Sequence, residues 1–109
     1  IKMSEYVKEI DGAQLKELLA AGKTVVCDFW ASWCGPCRML APVMDEVAKE
    51  FSDKAEFVKI DVDSNNEAAA EYGVMSIPYV VVLKDGEVKA KNLGFVPAEV
   101  MREFLKGNL

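Results

Sequence analysis

The sequence has 109 residues, which is the length of one domain and enough to bury a core without metal or disulfide support. Its composition is that of an ordinary globular protein, since 51% of the residues are apolar and 28% are charged. The formal net charge of −5 argues against a nucleic-acid-binding surface, and no apolar run approaches the roughly 20 residues of a membrane-spanning helix.

The counts of cysteine and histidine restrict the chemistry further. The sequence has three cysteines and no histidine. An odd, low number of cysteines is not typical of a secreted disulfide scaffold. Without histidine the chain cannot form a Ser-His or Cys-His catalytic pair, and it cannot form a zinc site that uses imidazole. Three thiols are also too few for an all-cysteine zinc or iron–sulfur site. The remaining roles for cysteine are redox chemistry and burial.

The chain shows no internal repeat, linker or low-complexity stretch. We therefore predict a single domain over residues 1–109, in which residues 1–5 form a loose N-terminus. The first residues lack the apolar core of a secretory signal, so we expect a cytoplasmic protein.

The first half of the chain alternates between strand and helix patterns. A strand is predicted at 6–10, followed by a helix that begins after Asp11, a good N-cap, and ends at Gly22. Residues 24–30 form a nearly continuous apolar run, which is typical of a central strand covered on both faces. Apolar residues at helical spacing then predict a long helix over 34–51.

The second half predicts a strand, a short helix, a hairpin and a final helix. The strand lies at 57–62 and the short helix at 66–72. Strands at 79–83 and 88–93 flank an Asp-Gly pair, which is a strong hairpin signal. The last helix starts near Pro97, with a predicted buried face of Val100, Met101, Phe104 and Leu105. Parallel crossovers followed by an antiparallel hairpin predict an α/β fold with a mixed sheet and helices on both faces.

Cys34 and Cys37 are the residues with the clearest chemistry. They are three residues apart at the junction between the central strand and the long helix, close enough to form a disulfide. The helix N-terminus favours a thiolate at the first cysteine, and a neighbouring thiol can complete a disulfide exchange. We therefore expect Cys34 to be the nucleophile and Cys37 the resolving thiol. The alternative is an inert pair or half of a metal site, which the strand-to-helix context disfavours.

Asp28 and Cys27 stand in the central strand among apolar residues. A lone acid there is expected to be buried, and burial raises the pKa of a carboxyl group, so Asp28 could accept a proton near neutral pH. The alternative is an acid at a strand end that reaches solvent. Cys27 alternates with Asp28, so it faces the other side of the sheet, where we expect it to be a small core residue.

Residues 28–37, with their Cys-Gly-Pro-Cys sequence, resemble the active-site signature of the thioredoxin family. Further matches lie at 59–63, 77–78 and 84–86 and at Gly94, and the resemblance covers nearly the whole chain. It implies a thioredoxin fold, a central mixed five-stranded sheet flanked by four helices. It also implies a protein-disulfide reductase that carries electrons without a bound cofactor and acts on disulfide-containing proteins in cell redox homeostasis. Such a protein would be recycled by a thioredoxin reductase. We expect it to be monomeric and to have no nucleic-acid or membrane partner.

The resemblance also implies roles for residues outside the cysteine pair. Asp28 would deprotonate Cys37 through water, and Lys59 would lie near Asp28 and tune its charge. The peptide bond before Pro78 would be cis, and the backbone of Ile77 would pair with an extended substrate segment. A shallow apolar docking patch would consist of Trp33, Gly35, Pro36, Ile77, Pro78, Gly94 and Phe95. Apart from the resemblance, we expect that Met75 could line this patch and that Trp30 gives structural support.

Tyr79 departs from the family pattern, because threonine is usual after this proline. Its ring would either crowd a docking substrate or offer it an apolar contact surface.

Two alternative functions stay open from the sequence alone. The chain could be a binding module in a larger assembly, or an oxidase or isomerase, which the Gly35-Pro36 pair disfavours and the redox potential would decide.

Overall fold

The computed structural model describes residues 4–109. Over this range the chain forms nine elements, in the order β1 (Val7–Glu9), α1 (Gly12–Ala20), β2 (Val25–Trp30), α2 (Gly35–Glu50), β3 (Glu56–Asp61), α3 (Asn66–Glu71), β4 (Tyr79–Lys84), β5 (Glu87–Leu93) and α4 (Ala98–Lys106). Residues 1–3 of the expected loose N-terminus lie outside the described range. Ser4 is held locally, because its hydroxyl accepts hydrogen bonds from the backbone N–H groups of Tyr6 and Val7.

The strands form one mixed sheet in the order β1-β3-β2-β4-β5. β3 runs parallel to both β1 and β2, whereas β4 is antiparallel to β2 and β5. The predicted α/β fold, with a mixed five-stranded sheet and four helices among the described residues, is confirmed. β2 lies at the centre of the sheet. Its C-terminal end therefore lies between the C-terminal end of β3 and the start of β4.

The core has two layers, one on each face of the sheet. One layer joins Val26 of β2 to α2 and α4 through Leu40, Val47 and Met101, among others. The other joins alternate residues of β2 to α1 and α3, with Leu15 and Ala68 packed near Phe29. The strict alternation along β2 explains why Asp28 and Cys27 face opposite layers.

Local signals in the sequence account for several element boundaries. Asp11 caps α1 and forms a reciprocal capping box with Gln14. The turn between β4 and β5 places both Asp85 and Gly86 at positive φ, which explains the Asp-Gly pair. The predicted buried face of α4 was too wide, because Val100 is exposed. The helix turns about 100° per residue, which carries Val100 away from the buried Met101.

Candidate active site

The cysteine pair lies where β2 ends and α2 begins. Cys34 is the N-cap residue of α2, and Cys37 lies in its first turn. Their Cα atoms are 5.2 Å apart, and their sulfur atoms form a disulfide. The backbone N–H of Cys37 donates a hydrogen bond of 3.2 Å to the sulfur of Cys34. The sulfur of Cys34 therefore occupies the position where a helix N-terminus stabilises negative charge.

Solvent exposure does not separate the roles of the two cysteines. Cys34 is 5% exposed and Cys37 is 3% exposed. Their surroundings do differ, since the sulfur of Cys34 lies 3.8 Å from the carbonyl oxygen of Ile77, on the side of the loop that precedes β4. Cys37 instead borders a small cavity beside the sheet. The two cysteines therefore have different surroundings, since Cys34 lies beside a loop and Cys37 beside a small cavity.

Asp28 lies below the cysteines and is only 4% exposed. Burial raises the pKa of its carboxyl group from 3.8 to about 7, and the positive charge of Lys59 opposes part of this rise. Lys59 is directly opposite Asp28 in the parallel register of β2 and β3. Within residues 4–109, Oδ1 of Asp28 has no hydrogen-bond partner. The alternative of an acid that reaches solvent is wrong, and Asp28 can hold a proton near neutral pH.

A cavity of about 70 Å³ connects Asp28 with Cys37. Lys59 and Trp30 also line it, and the ammonium group of Lys59 lies 4.6 Å from the centroid of the Trp30 ring. Such cation–π contact holds Lys59 at the wall of the cavity. The volume is sufficient for at least one water molecule beside the Asp28 carboxyl group and Cys37.

The residues of the expected docking patch lie together at the end of the molecule that carries the cysteines, and all of them except Pro78 are exposed or half-buried. Trp33 is 67% exposed, Phe95 and Pro36 are also exposed, and Gly35, Ile77 and Gly94 are half-buried. The Ile77–Pro78 peptide bond is cis, as the resemblance implied, and the N–H of Gly94 donates a 2.8 Å hydrogen bond to the carbonyl of Pro78. Pro78 itself is buried, so its ring offers little surface to a docked substrate.

Comparison with known proteins agrees with this geometry. The sequence profile described as Thioredoxin matches residues 6–107. The chain belongs to the thioredoxin family. It is 55% identical over 85 residues to the thioredoxin of Bacillus subtilis, which covers 78% of this chain and 82% of the relative. It is 47% identical over 94 residues to that of Mycoplasmoides gallisepticum (86% and 93% covered) and 44% identical over 103 residues to that of Staphylococcus aureus (94% and 98% covered).

Membership of the thioredoxin family and the paired cysteines establish the type of reaction. The chain is a thiol-disulfide oxidoreductase that acts on protein disulfides. The family also implies disulfide substrates and a reductase partner in general terms. None of the described helices is long and apolar enough to cross a membrane. Among residues 4–109, no group of three or more potential ligand side chains is arranged to hold a metal ion.

Two side chains beside the thioredoxin-family site were not singled out from the sequence. Asp45 of α2 lines the cavity that Asp28 also borders. Its spacing of eight residues from Cys37 puts both on one helix face, and this signal could have found it. Asp63 accepts a 2.8 Å hydrogen bond from Nε1 of Trp33. The parallel arrangement of β2 and β3 predicts that the residues following them meet at one edge.

Tyr79, the departure from the thioredoxin pattern, lies on the face of the sheet that carries α1 and α3. It is half-buried, packs against the core layer there, and is paired with Phe29 across β2 and β4. This placement favours a packing role over contact with a docked substrate.

Cys27 is fully buried in the same layer and has no disulfide partner. Burial raises the pKa of its thiol well above the ordinary value, and the neighbouring Asp28 carboxylate raises it further. In the native reduced protein we expect iodoacetamide to label Cys34 completely before Cys27 reacts. Peptide mass spectrometry measures both, and unfolding in urea should make all three cysteines reactive. Comparable labelling of Cys27 and Cys34 in the native protein would contradict its burial.

Proposed function

We propose that the chain reduces protein disulfides with Cys34 as the nucleophile and Cys37 as the resolving thiol. The observation that carries this assignment is the hydrogen bond from the Cys37 N–H to the Cys34 sulfur at the start of α2. It supports a thiolate on Cys34, because the helix N-terminus and the N–H both stabilise negative charge there.

The exchange then takes two steps. The Cys34 thiolate attacks one sulfur of the substrate disulfide, whose S–S bond breaks. The other substrate sulfur leaves as a thiolate, which takes a proton from water. Cys37, once deprotonated, attacks the Cys34 sulfur in the mixed disulfide and releases the second substrate thiol. The substrate has gained two electrons and two protons, and the chain has become the Cys34–Cys37 disulfide.

Asp28 is the base for the second step in this proposal. Its raised pKa of about 7 allows it to take a proton from Cys37 at neutral pH and to release it afterwards. The shared cavity supports transfer through water. Lys59 limits the rise of that pKa, since its charge favours the carboxylate. Without Lys59, the pKa of Asp28 would rise further.

Substrates dock beside Cys34 on the surface formed by Trp33, Gly35, Pro36, Ile77, Gly94 and Phe95, with Pro78 supporting it from below. The 3.8 Å separation between the Cys34 sulfur and the Ile77 carbonyl supports pairing between the Ile77 backbone and an extended substrate segment. Main-chain hydrogen bonds of this kind require little sequence specificity. The bond from Trp33 to Asp63 fixes the orientation of the most exposed ring on this surface.

We further propose a monomeric, single-domain electron carrier of the cytoplasm that is recycled by a thioredoxin reductase and uses no bound cofactor, nucleic acid or membrane. The half-buried surface around the cysteines fits transient docking, first of a substrate and then of the reductase. The flavin and nicotinamide chemistry would belong to the reductase, so this chain needs only its two thiols.

A coupled assay tests the proposed cycle. With insulin as the protein disulfide, NADPH and a bacterial thioredoxin reductase should sustain continuous NADPH oxidation in the presence of the chain, and the Cys37→Ser variant should give no turnover. If dithiothreitol supports insulin reduction but NADPH and the reductase do not, recycling by such a reductase is wrong. If neither reductant supports catalysis of insulin reduction, the proposed function is wrong.

A further inference from the structure

The described methionines differ sharply in their contact with solvent. Met44 and Met101 are fully enclosed in the core layer under α2 and α4, whereas Met39 on α2 is largely exposed. Met75 is 94% exposed. A large apolar side chain that stays in water contributes almost nothing to folding through burial. Met75 is thus available for a contact that forms only when another molecule binds.

The position of Met75 places it beside the substrate-docking surface. It lies in the loop between α3 and β4, two residues before Ile77, so their Cα atoms are at most about 7 Å apart. The carbonyl of Ile77 in turn lies 3.8 Å from the Cys34 sulfur. A substrate segment that pairs with the Ile77 backbone would therefore lie within about 7 Å of the Met75 backbone along the chain.

Other exposed apolar side chains adjoin the same loop. The exposed Leu93 lies opposite Tyr79 at the end of β5. The next residue, Gly94, donates a backbone hydrogen bond to the carbonyl of Pro78, which holds this segment beside the loop. Trp33 and Phe95 add two exposed aromatic rings. Four of the eight large exposed apolar residues among those described therefore lie next to Cys34, in the loop before β4 or beside Gly94: Trp33, Met75, Leu93 and Phe95. Such clustering marks a surface for apolar contact.

We propose that Met75 docks apolar side chains that flank the disulfide of a protein substrate, and that oxidation of its thioether by a hydroperoxide weakens this docking. The inference rests on the proposed function, because the occupant of the surface is a protein disulfide. The flexible, polarisable side chain of methionine adapts to substrates of different shape. Its sulfoxide is polar and must give up hydrogen bonds to water before it can enter an apolar contact.

The oxidation is balanced by the hydroperoxide alone. The thioether sulfur attacks the peroxide, the O–O bond breaks, and one oxygen becomes bonded to sulfur. The sulfur loses two electrons, and the remaining oxygen leaves as water or as an alcohol. The lesion is reversible by methionine sulfoxide reductases. In the disulfide form of the chain, Cys34 and Cys37 have no thiolate to oxidise, and Cys27 is buried.

The experiment uses the disulfide form treated with hydrogen peroxide, alongside untreated protein. Peptide mass spectrometry should find sulfoxide at Met75 and Met39 before Met44 and Met101. After removal of peroxide and reduction, we expect about a fivefold lower second-order rate constant with insulin, since the apolar contact is lost, and an unchanged rate with a small aromatic disulfide.

Two variants identify the responsible side chain, each compared with its own untreated sample. Met75→Leu should lose no rate with insulin on peroxide treatment. Met39→Leu, which removes the other exposed thioether among residues 4–109, should lose as much as the parent protein. Equal loss in Met75→Leu, full activity of protein with sulfoxide at Met75, or an equal fall with the small disulfide would each overturn the proposal. Failure of untreated protein to reduce insulin would instead contradict the proposed function itself.

Discussion

Replacing Cys34 by serine is expected to abolish disulfide reduction, and replacing Cys37 by serine is expected to stop the reaction after its first step. A serine hydroxyl cannot replace the thiolate as a nucleophile, so the rate of insulin reduction by Cys34→Ser should fall by more than about 1,000-fold. Cys37→Ser retains the nucleophile and lacks the resolving thiol. It should therefore accumulate a mixed disulfide with the substrate, measured as a covalent complex on non-reducing gels.

Cys27→Ala is the matched control for both cysteine variants. It removes a thiol of the same chain that lies in the core and outside the site, so catalysis should persist even though the fold loses some packing. Continued turnover by Cys34→Ser, or loss of the covalent complex when Cys27 rather than Cys34 is changed, would contradict the assignment of the nucleophile.

Replacing Asp28 by alanine is expected to stabilise the fold at neutral and higher pH. The folded protein holds the Asp28 proton up to a pKa of about 7, whereas the unfolded chain releases it near 3.8. The free energy of unfolding therefore falls as pH rises between these values, by about 1.4 kcal/mol per unit, and stays lower above them. Removing the carboxyl group removes this loss of stability. We expect the free energy of unfolding of Asp28→Ala to exceed that of the parent protein by about 2 to 4 kcal/mol at pH 8, and not to exceed it below pH 3.8.

Urea unfolding at several pH values measures this dependence. Asp53→Ala, which removes an exposed carboxylate of the same charge, should lack the gain. Lower stability of Asp28→Ala than of the parent protein at pH 8 would mean that the buried carboxylate makes contacts that stabilise the fold.

The same substitution should slow resolution of the mixed disulfide. Loss of a positioned base costs about 100-fold at pH 7, and the deficit should shrink at higher pH, where Cys37 ionises without help. Rapid-mixing measurement of product release from the mixed disulfide gives this rate. An unchanged rate at pH 7 would show that Asp28 takes no part in proton transfer.

The elements that local patterns predict well are those with strong boundary signals. The capping box at Asp11, the turn at Asp85 and Gly86, and the N-terminal position of Cys34 on α2 all depend on residues close in sequence. The burial of Asp28 followed from its apolar neighbours in one strand. These features could be predicted because the physical cause and the sequence signal lie within a few residues of each other.

Features that depend on packing between distant segments were harder to predict. The width of the apolar stripe on α4 does not reveal that the helix buries Met101 and leaves Val100 exposed. Likewise, the spacing of Asp45 from Cys37 places both on one face of α2, but it does not reveal that this face borders the cavity of Asp28, because β2 and α2 meet only in the folded chain. The cis bond before Pro78 came from the family resemblance, since most such bonds in folded proteins are trans.

The central claim is that Cys34 attacks the substrate, and the complex trapped by Cys37→Ser tests it most directly. Digestion of this complex without reduction, followed by mass spectrometry, identifies the cysteine that is linked to the substrate. The account predicts a peptide that joins the substrate to Cys34. A peptide linked through Cys27, or substrate linked to Cys37 in the converse Cys34→Ser variant at a comparable rate, would contradict it.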